Sequence, residues 1–302
     1  GITIIYISHR LEEIFDLADN VTVLRDGKCI DTLPVKNIDK RTLISMIVGR
    51  ELVNEYPKEK FEIGETVLEV RNLCRKGVLK NISFKVRKGE LVGIAGLVGS
   101  GRTELARAIL GIDKIDSGEI LLYGKPVKHN NFRAAISNGF GLIPESRKTQ
   151  GLVQILSVRN NVCMASMEKV KNSFLISKKK EKDYSNEYVK KLDIATPSIE
   201  TEVQYLSGGN QQKVVVAKWL LKGSDIIFLD EPTRGIDVGS KREIYLLIND
   251  LIRQGKIVIM ISSELPEILG MSDRILVMHE GELKGELTRE EATQEKILEL
   301  CV

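Results

Sequence analysis

Gly96-Leu97-Val98-Gly99-Ser100-Gly101-Arg102-Thr103 is the stretch on which the reading of this chain turns. It follows a short, almost wholly apolar run at residues 91–96 and opens a helical pattern with apolar residues at Leu105, Ile109 and Leu110. The spacing is that of a phosphate-binding loop, G-x-x-x-x-G-K-[ST], with one departure: Arg102 stands where lysine is expected. Backbone amides in such a loop must turn inward and approach phosphate oxygens unobstructed, at a helix start whose dipole favours anions. Gly96, Gly99, Ser100, Gly101 and Arg102 are therefore candidate nucleotide-binding residues, and the Thr103 hydroxyl is a candidate Mg²⁺ ligand. Arginine keeps the positive charge but is a planar fork rather than a compact ammonium, so nucleotide binding is expected and fast hydrolysis is not.

Two further pieces lie downstream. In Ile226-Ile227-Phe228-Leu229-Asp230-Glu231-Pro232 an apolar strand delivers adjacent carboxylates, Asp230 to hold Mg²⁺ through water and Glu231 to orient or deprotonate an attacking water. Just upstream, Leu206-Ser207-Gly208-Gly209-Asn210-Gln211-Gln212-Lys213 precedes a helix and makes a second anion-ready helix start. One nucleotide does not need two such starts from one module. The second is therefore expected to face a nucleotide held by another module, so that the active site is shared across a dimer.

Working outward, short apolar runs at residues 91–96, 226–230 and 257–262 read as central parallel strands separated by helices, one of them at 241–253 with a stripe of Ile244, Leu247, Ile248 and Leu251. Residues 66–71, 81–86 and 119–123 read as further strands, with a turn at Gly77. Residues 157–193 have helical periodicity and a lysine run, 178–182, that reads as a solvated helix face. At an offset of 254 residues, Ile7-Ser8-His9-Arg10-Leu11-Glu12-Glu13-Ile14 lies over Ile261-Ser262-Ser263-Glu264-Leu265-Pro266-Glu267-Ile268, and residues 7–27 carry eight identities with their counterparts. Both copies read as a buried strand, a Ser-capped helix, a short strand ending at a Gly turn, and a polar helical tail. The expected organisation is residues 1–53 as the C-terminal remnant of a first module, 54–65 as a linker, and 66–302 as a second, complete module, the chain being part of something longer.

Composition excludes other classes. The 45 basic and 42 acidic residues leave a formal charge of +3, so no bulk field draws the chain to nucleic acid or anionic lipid. No apolar run approaches the ~18 residues of a membrane span. Cys29, Cys74, Cys163 and Cys301 form no C-x-x-C pair, which argues against structural zinc or a disulfide scaffold and for a reducing, cytosolic setting.

The ordered set of a Gly loop, Leu-Ser-Gly-Gly-Asn-Gln-Gln, Leu-Asp-Glu-Pro-Thr and a strand ending in Ser-His resembles the nucleotide-binding domains of ABC ATPases. With Asp230-Glu231-Pro232-Thr233-Arg234-Gly235-Ile236-Asp237-Val238-Gly239 and a tandem layout, it is similar to the ATP-binding subunit of bacterial simple-sugar importers of the ribose, galactose and xylose type. The resemblance implies an α/β P-loop NTPase core of ABC type with an antiparallel β subdomain and a helical subdomain. It implies ATP and Mg²⁺ as ligands, and ATP hydrolysis that energises sugar import through transmembrane permease subunits fed by a periplasmic or extracellular sugar-binding protein. The chain would lie peripherally on the cytoplasmic membrane face, its second domain paired with the first, with no nucleic acid involved.

Residue by residue, the resemblance makes Ser207, Gly208, Gly209, Gln211 and Asp237 further binding candidates. His9 matches the family's switch histidine, and the same place in the complete copy is Ser263. The family's γ-phosphate-sensing Gln falls near Pro144, where this chain has Glu145. No aromatic platform for adenine stands in Leu73-Cys74-Arg75-Lys76-Gly77. Four departures thus fall in one module, while Thr103, Asp230, Glu231 and Asp237 remain. The resulting expectation is an asymmetric pair: the second module's Leu-Ser-Gly-Gly completes the first module's site, and its own degenerate site binds nucleotide but cleaves it slowly, leaving this chain alone weak or inactive as an ATPase. Leu156-Ser157-Val158-Arg159-Asn160 would lie at the permease-coupling surface. The alternatives are the same role for a nucleoside or other small polar solute, or a soluble tandem ABC ATPase, which would carry a long charged connector and a basic surface.

Overall fold

The computed structural model describes residues 2–7, 11–25, 28–39, 42, 43, 46, 56–172 and 175–301. The first part holds α1 (Leu11–Leu17) and a hairpin of β1 (Asn20–Arg25) and β2 (Lys28–Pro34). The second part begins with β3 (Thr66–Arg75), β4 (Leu79–Arg87) and β5 (Leu91–Gly96), then α2 (Arg102–Ile109). Next come β6 (Ser117–Leu122), β7 (Lys125–Val127), α3 (Phe132–Ser137) and β8 (Phe140–Ile143). A helical stretch follows: α4 (Val158–Cys163), α5 (Met167–Val170), the two-residue strands β9 (Lys171–Asn172) and β10 (Leu175–Ile176), α6 (Lys178–Lys191) and α7 (Gly208–Lys222). The chain then alternates β11 (Ile226–Asp230), α8 (Val238–Arg253), β12 (Ile257–Ile261) and α9 (Leu265–Met271), and closes with β13 (Arg274–His279), β14 (Glu282–Thr288) and α10 (Gln294–Leu300).

The main sheet has the order β14-β13-β5-β12-β11-β8, parallel except for β14 at one edge, and β4-β3-β6-β7 form a separate antiparallel sheet. The all-apolar runs have a direct cause. Successive residues of a strand face opposite ways, and here each face meets its own core. Ile227, Leu229, Val258 and Met260 join the core under α4, α7, α8 and α9. Ile226, Phe228, Ile257, Ile259 and Ile261 join the one shared with α2 and the antiparallel sheet. This is the α/β P-loop architecture with antiparallel and helical subdomains that the sequence implies.

The internal repeat is reproduced in three successive elements. α1, β1 and β2 begin and end 254 residues before α9, β13 and β14, and even the irregularity between Val23 and Leu24 recurs between Val277 and Met278. Two expectations change. Residues 2–7 are not a buried strand: Ile2, Ile4, Ile5 and Ile7 are exposed and the segment joins no sheet among the described residues. The counterpart strand β12 is buried because β11 and β5 hold it on both sides, and among the described residues 2–7 has no such neighbours. Nor is α9 capped by its serine in the usual way. Glu264 sits at the N-cap without a side-chain bond, and its N–H donates to Ser262 Oγ at 3.0 Å.

The expected linker is, from Tyr56 onward, a strap on the second module. Tyr56 packs its ring 5.5 Å from that of Tyr245, Lys58 pairs with Asp273 at 2.7 Å, and Gly64 N–H donates to the Lys88 carbonyl. Its lack of periodicity reflects an extended path on which Tyr56 and Lys58 find separate partners while Lys60, Glu62 and Ile63 stay exposed. The helical stretch carries the small β9–β10 pair as well as helices. Within the lysine run, Lys178, Lys179 and Lys182 are solvent-facing, while Glu181 is buried and paired with Arg159 at 2.5 Å. Among the described residues no helix is long and apolar enough to cross a membrane.

One buried charge gives a stability prediction. The Lys218 ammonium donates to the Gly151 carbonyl at 2.6 Å, and burial pushes its pKa down to about 8 from 10.5. A depressed folded-state pKa means its contribution is fully present above the unfolded value of 10.5 and is lost as pH falls through about 8. Lys218→Met should therefore gain stability relative to the unaltered chain at pH 6 and lose that advantage at pH 10, a swing on the order of 2 kcal/mol. Parallel thermal melts across that range check it, and a pH-independent difference would contradict it.

Candidate functional site

The phosphate loop, the paired carboxylates and the Ser262-Ser263 pair stand at the C-terminal ends of adjacent parallel strands. β5 delivers the phosphate loop, β12 delivers Ser262 and Ser263, and β11 delivers Asp230 and Glu231. Ligands of open α/β sheets bind outside these ends.

In the loop, Gly96 has no room for a side chain, since a Cβ there would lie 2.4 Å from the Met278 carbonyl oxygen. Gly99 differs: its φ is +82° and it faces open space. Thr103 Oγ1 donates to Asp230 Oδ2 at 2.8 Å, which brings the two candidate Mg²⁺ ligands together. Asp230 Oδ1 and Ser100 Oγ are both buried without a hydrogen-bond partner. Burial pushes the Asp230 carboxyl up to about 6, against the Thr103 bond. An orphaned carboxylate oxygen beside a hydroxyl, and an orphaned hydroxyl under a glycine turn, are the donor set that a divalent cation and a phosphate would satisfy. The residues present fit both.

Arg102 is placed differently from a phosphate-reaching lysine. It is buried, and its guanidinium folds back to donate to the Gly96 carbonyl and, at 3.4 Å, to that of Ser262, with Glu231 3.7 Å away. Glu231 holds a left-handed φ of +50°, with its N–H donating to the Ile261 carbonyl. Such a conformation is strained by about 1–2 kcal/mol in a non-glycine residue and persists only where its surroundings fix it. Burial raises the Glu231 pKa, opposed by the Ser263 hydroxyl, which donates to Oε2 at 3.1 Å, and by the Arg102 charge. A carboxylate raised in this way is better matched to accepting a proton near neutral pH. Ser263 thus contacts the carboxylate of its own site; His9, its counterpart, lies outside the described residues.

The second helix start opens α7. Ser207 caps α7, accepting from the Asn210 N–H, and is solvent-exposed. The glycines after it are close-packed within the module: a Cβ on Gly208 would lie 2.9 Å from Ile236 Cγ2, and one on Gly209 2.8 Å from Ser240 Cβ. Asp237 caps α8 by accepting from the Ser240 N–H and hydroxyl at 2.9 and 2.7 Å. Gln211 turns inward, donating to the carbonyls of Val203 and Leu206, so its side-chain amide is not presented to a ligand. It sits four residues past the Ser207 cap, on the helix face that meets the core.

Glu145 is exposed and pairs with Arg234. Two residues on, Arg147 was missed by the sequence reading. It opens a π-helical turn, Arg147–Gly151, and donates to the carbonyls of Arg234 and Gly235 at 2.8 and 2.9 Å. It thereby pins the loop after β8 to the loop after Glu231, directly beside Gly208. A lone arginine in a polar, aperiodic segment gave no pattern from which this was visible. Near the loop after β8, Val158 is core, whereas Ile155 and Tyr205 are 71% and 75% exposed.

This fold and this set of strand-end residues define a P-loop nucleotide-binding domain of the ATP-binding cassette class. The chain belongs to the ABC transporter family, whose pattern matches residues 79–234. It is 51% identical over 301 residues to the ribose import ATP-binding protein RbsA of Bacillus licheniformis and, over the same length, 51% identical to a putative ribose/galactose/methyl galactoside import ATP-binding protein of Rhizobium etli. All of this chain is covered in both, and it spans 61% and 57% of those relatives. Among solved structures it is similar to the ADP conformation of MJ1267, an ATP-binding cassette of an ABC transporter, with a TM-score of 0.68 at 22% identity over 78% of this chain and 98% of that one. That likeness bears on the fold.

Proposed function

We propose that residues 66–302 form a nucleotide-binding domain that takes ATP with Mg²⁺ at the Gly96, Gly99, Ser100, Gly101, Arg102 and Thr103 loop, and that the chain serves as an energising subunit in the import of a small sugar. The observation that carries the nucleotide reading is the pair of orphaned oxygens, Ser100 Oγ just past the end of β5 and Asp230 Oδ1 at the end of β11, the two strands that flank β12. The sugar reading rests on the relatives named above. Thr103 and Asp230 would hold the metal, which supplies charge neutralisation between phosphates when bound. Glu231 accepts the proton of the attacking water, and Ser263 orients that carboxylate.

The exposed Ser207 helix start would serve the nucleotide of a partner domain, of which residues 1–53 would be the end. With a serine in place of histidine at 263 and Arg102 spent on its own loop, this domain's site holds nucleotide more readily than it cleaves it. The exposed Ile155 and Tyr205 beside the loop after β8 suit a permease at the cytoplasmic membrane face, and the +3 charge gives no reason to invoke nucleic acid.

The domain reading is tested by equilibrium binding of ATP with and without Mg²⁺. The Asp230→Asn and Thr103→Ala variants should each lose about tenfold in affinity with Mg²⁺ and little without it. Equal losses in both conditions would remove the metal from the account. The sugar reading is tested by uptake in vesicles carrying the protein with a ribose permease and binding protein. Competition by a nucleoside rather than a pentose or hexose would transfer the proposal to that solute class.

A further inference from the structure

Behind the Glu231–Ser263 pair lies a second carboxylate that the chemistry above does not use. Glu267, on the first turn of α9, is 1% exposed. Its Oε1 accepts from the Thr233 hydroxyl at 2.9 Å and its Oε2 from the Ser262 hydroxyl. Thr233 stands two residues after Glu231, and Ser262 immediately before Ser263. One side chain therefore clasps the two backbone segments that carry the hydrogen-bonded pair at the mouth of the site. The clasp reaches further, because the Ser262 carbonyl is one of the two that receive the Arg102 guanidinium. Tyr245, buried on α8, closes the other side of Thr233, and the Lys241–Glu264 ion pair at 2.6 Å covers the outside.

A purely structural role is a poor explanation for such a group. Burying a carboxylate is unfavourable unless hydrogen bonds offset it, so the group is placed for the bonds it accepts rather than for volume. The same serine and glutamate, five residues apart, recur as Ser8 and Glu13 in the upstream copy, and the residue after the serine is His9 there and Ser263 here. We infer that Glu267 is a positioning residue: by holding Ser262 and Thr233 it sets the Ser263–Glu231 hydrogen bond and the seat of Arg102, and so tunes the site for the charge that develops at the phosphate during cleavage. This rests on the nucleotide-binding reading.

The test compares the unaltered chain with Glu267→Leu, Glu267→Gln and Ser262→Ala by equilibrium binding of ADP, and of ADP with aluminium fluoride as a mimic of the transferring phosphoryl group, alongside thermal melts. In Glu267→Leu, affinity for the aluminium fluoride complex should fall at least about tenfold while that for ADP stays within about threefold, with a lower melting temperature from the unpaired Ser262 and Thr233 hydroxyls. Glu267→Gln keeps one acceptor and should lose less. Unchanged affinity for the mimic in all three variants overturns the inference, as does a parallel loss for ADP and its fluoride complex. If Glu267→Leu does not fold, Glu267→Gln and Ser262→Ala decide on the same criteria. An unaltered chain that takes up neither ADP nor ATP instead overturns the nucleotide reading itself.

Discussion

The double variant Ser263→His with Arg102→Lys should raise ATP turnover by this module at least about tenfold, equivalent to ~1.4 kcal/mol off the barrier. The serine hydroxyl is already committed to Glu231 at 3.1 Å, and its short side chain reaches no further. An imidazole at the same strand end extends outward and adds a donor toward the attacked phosphate. The second change is needed because the Arg102 guanidinium is folded onto the Gly96 and Ser262 carbonyls and lies 3.7 Å from Glu231, drawing on the carboxylate that must accept a proton. Lysine, a compact ammonium on a flexible stem, leaves that corner for the phosphates. Rates should be measured in single turnover with the partner domain present, so that the other site does not mask the gain. Unimpaired ATP binding with unchanged turnover would contradict the account of why this site is slow.

The largest expected loss of stability comes from a residue that touches no ligand. Gly281, in the β13–β14 turn, has φ +76°, and a Cβ there would lie 1.9 Å from the Val78 carbonyl oxygen. Its N–H donates to the Ser100 carbonyl at 3.0 Å and its carbonyl accepts from Lys80 at 2.8 Å. The turn is thus wedged between the phosphate loop and the β3–β4 turn, where only a bare backbone fits. Gly281→Ala combines left-handed strain with a clash against backbone and should cost about 3–4 kcal/mol, lowering Tm by several degrees and weakening nucleotide binding through displacement of Ser100. Gly99→Ala is the control. Its φ of +82° brings similar strain but no neighbour lies within 4 Å, so the stability loss should be about 1–2 kcal/mol. Calorimetry on both variants checks the difference, and equal losses would show that the wedge is not what demands glycine at 281.

Much of this was legible in the sequence because the fold uses periods that side chains display. β5, β11 and β12 were readable as central strands since both faces are buried and their runs are unbroken by polar residues. The loop was readable because its glycines are required by φ or by close approach. The repeat was readable because eight identities survive, and the structure returns the same elements at the same offset. What stayed hidden were contacts that depend on which segments the fold brings together. Tyr56 and Lys58 look like linker until Tyr245 and Asp273 arrive from nearly two hundred residues away or more. Arg147 meets Gly235 across 88 positions. Gln211 belongs by motif to a ligand face, yet the turn of α7 after its Ser207 cap points it at carbonyls. Residues 2–7 show the converse, an apolar run whose strand character depends on neighbours that period alone does not supply.

The central claim is that the glycine loop and the Asp230 oxygens are a working nucleotide site whose deficit is in cleavage and not in binding. Titration of this chain with a labelled, slowly hydrolysed ATP analogue in the presence of Mg²⁺ addresses it most directly. The account requires saturable uptake of one analogue per chain, weakened by about tenfold or more when Asp230 is changed to Asn, together with little release of phosphate from ATP over the same interval. Absence of uptake at any accessible concentration, or uptake indifferent to Asp230, would contradict it.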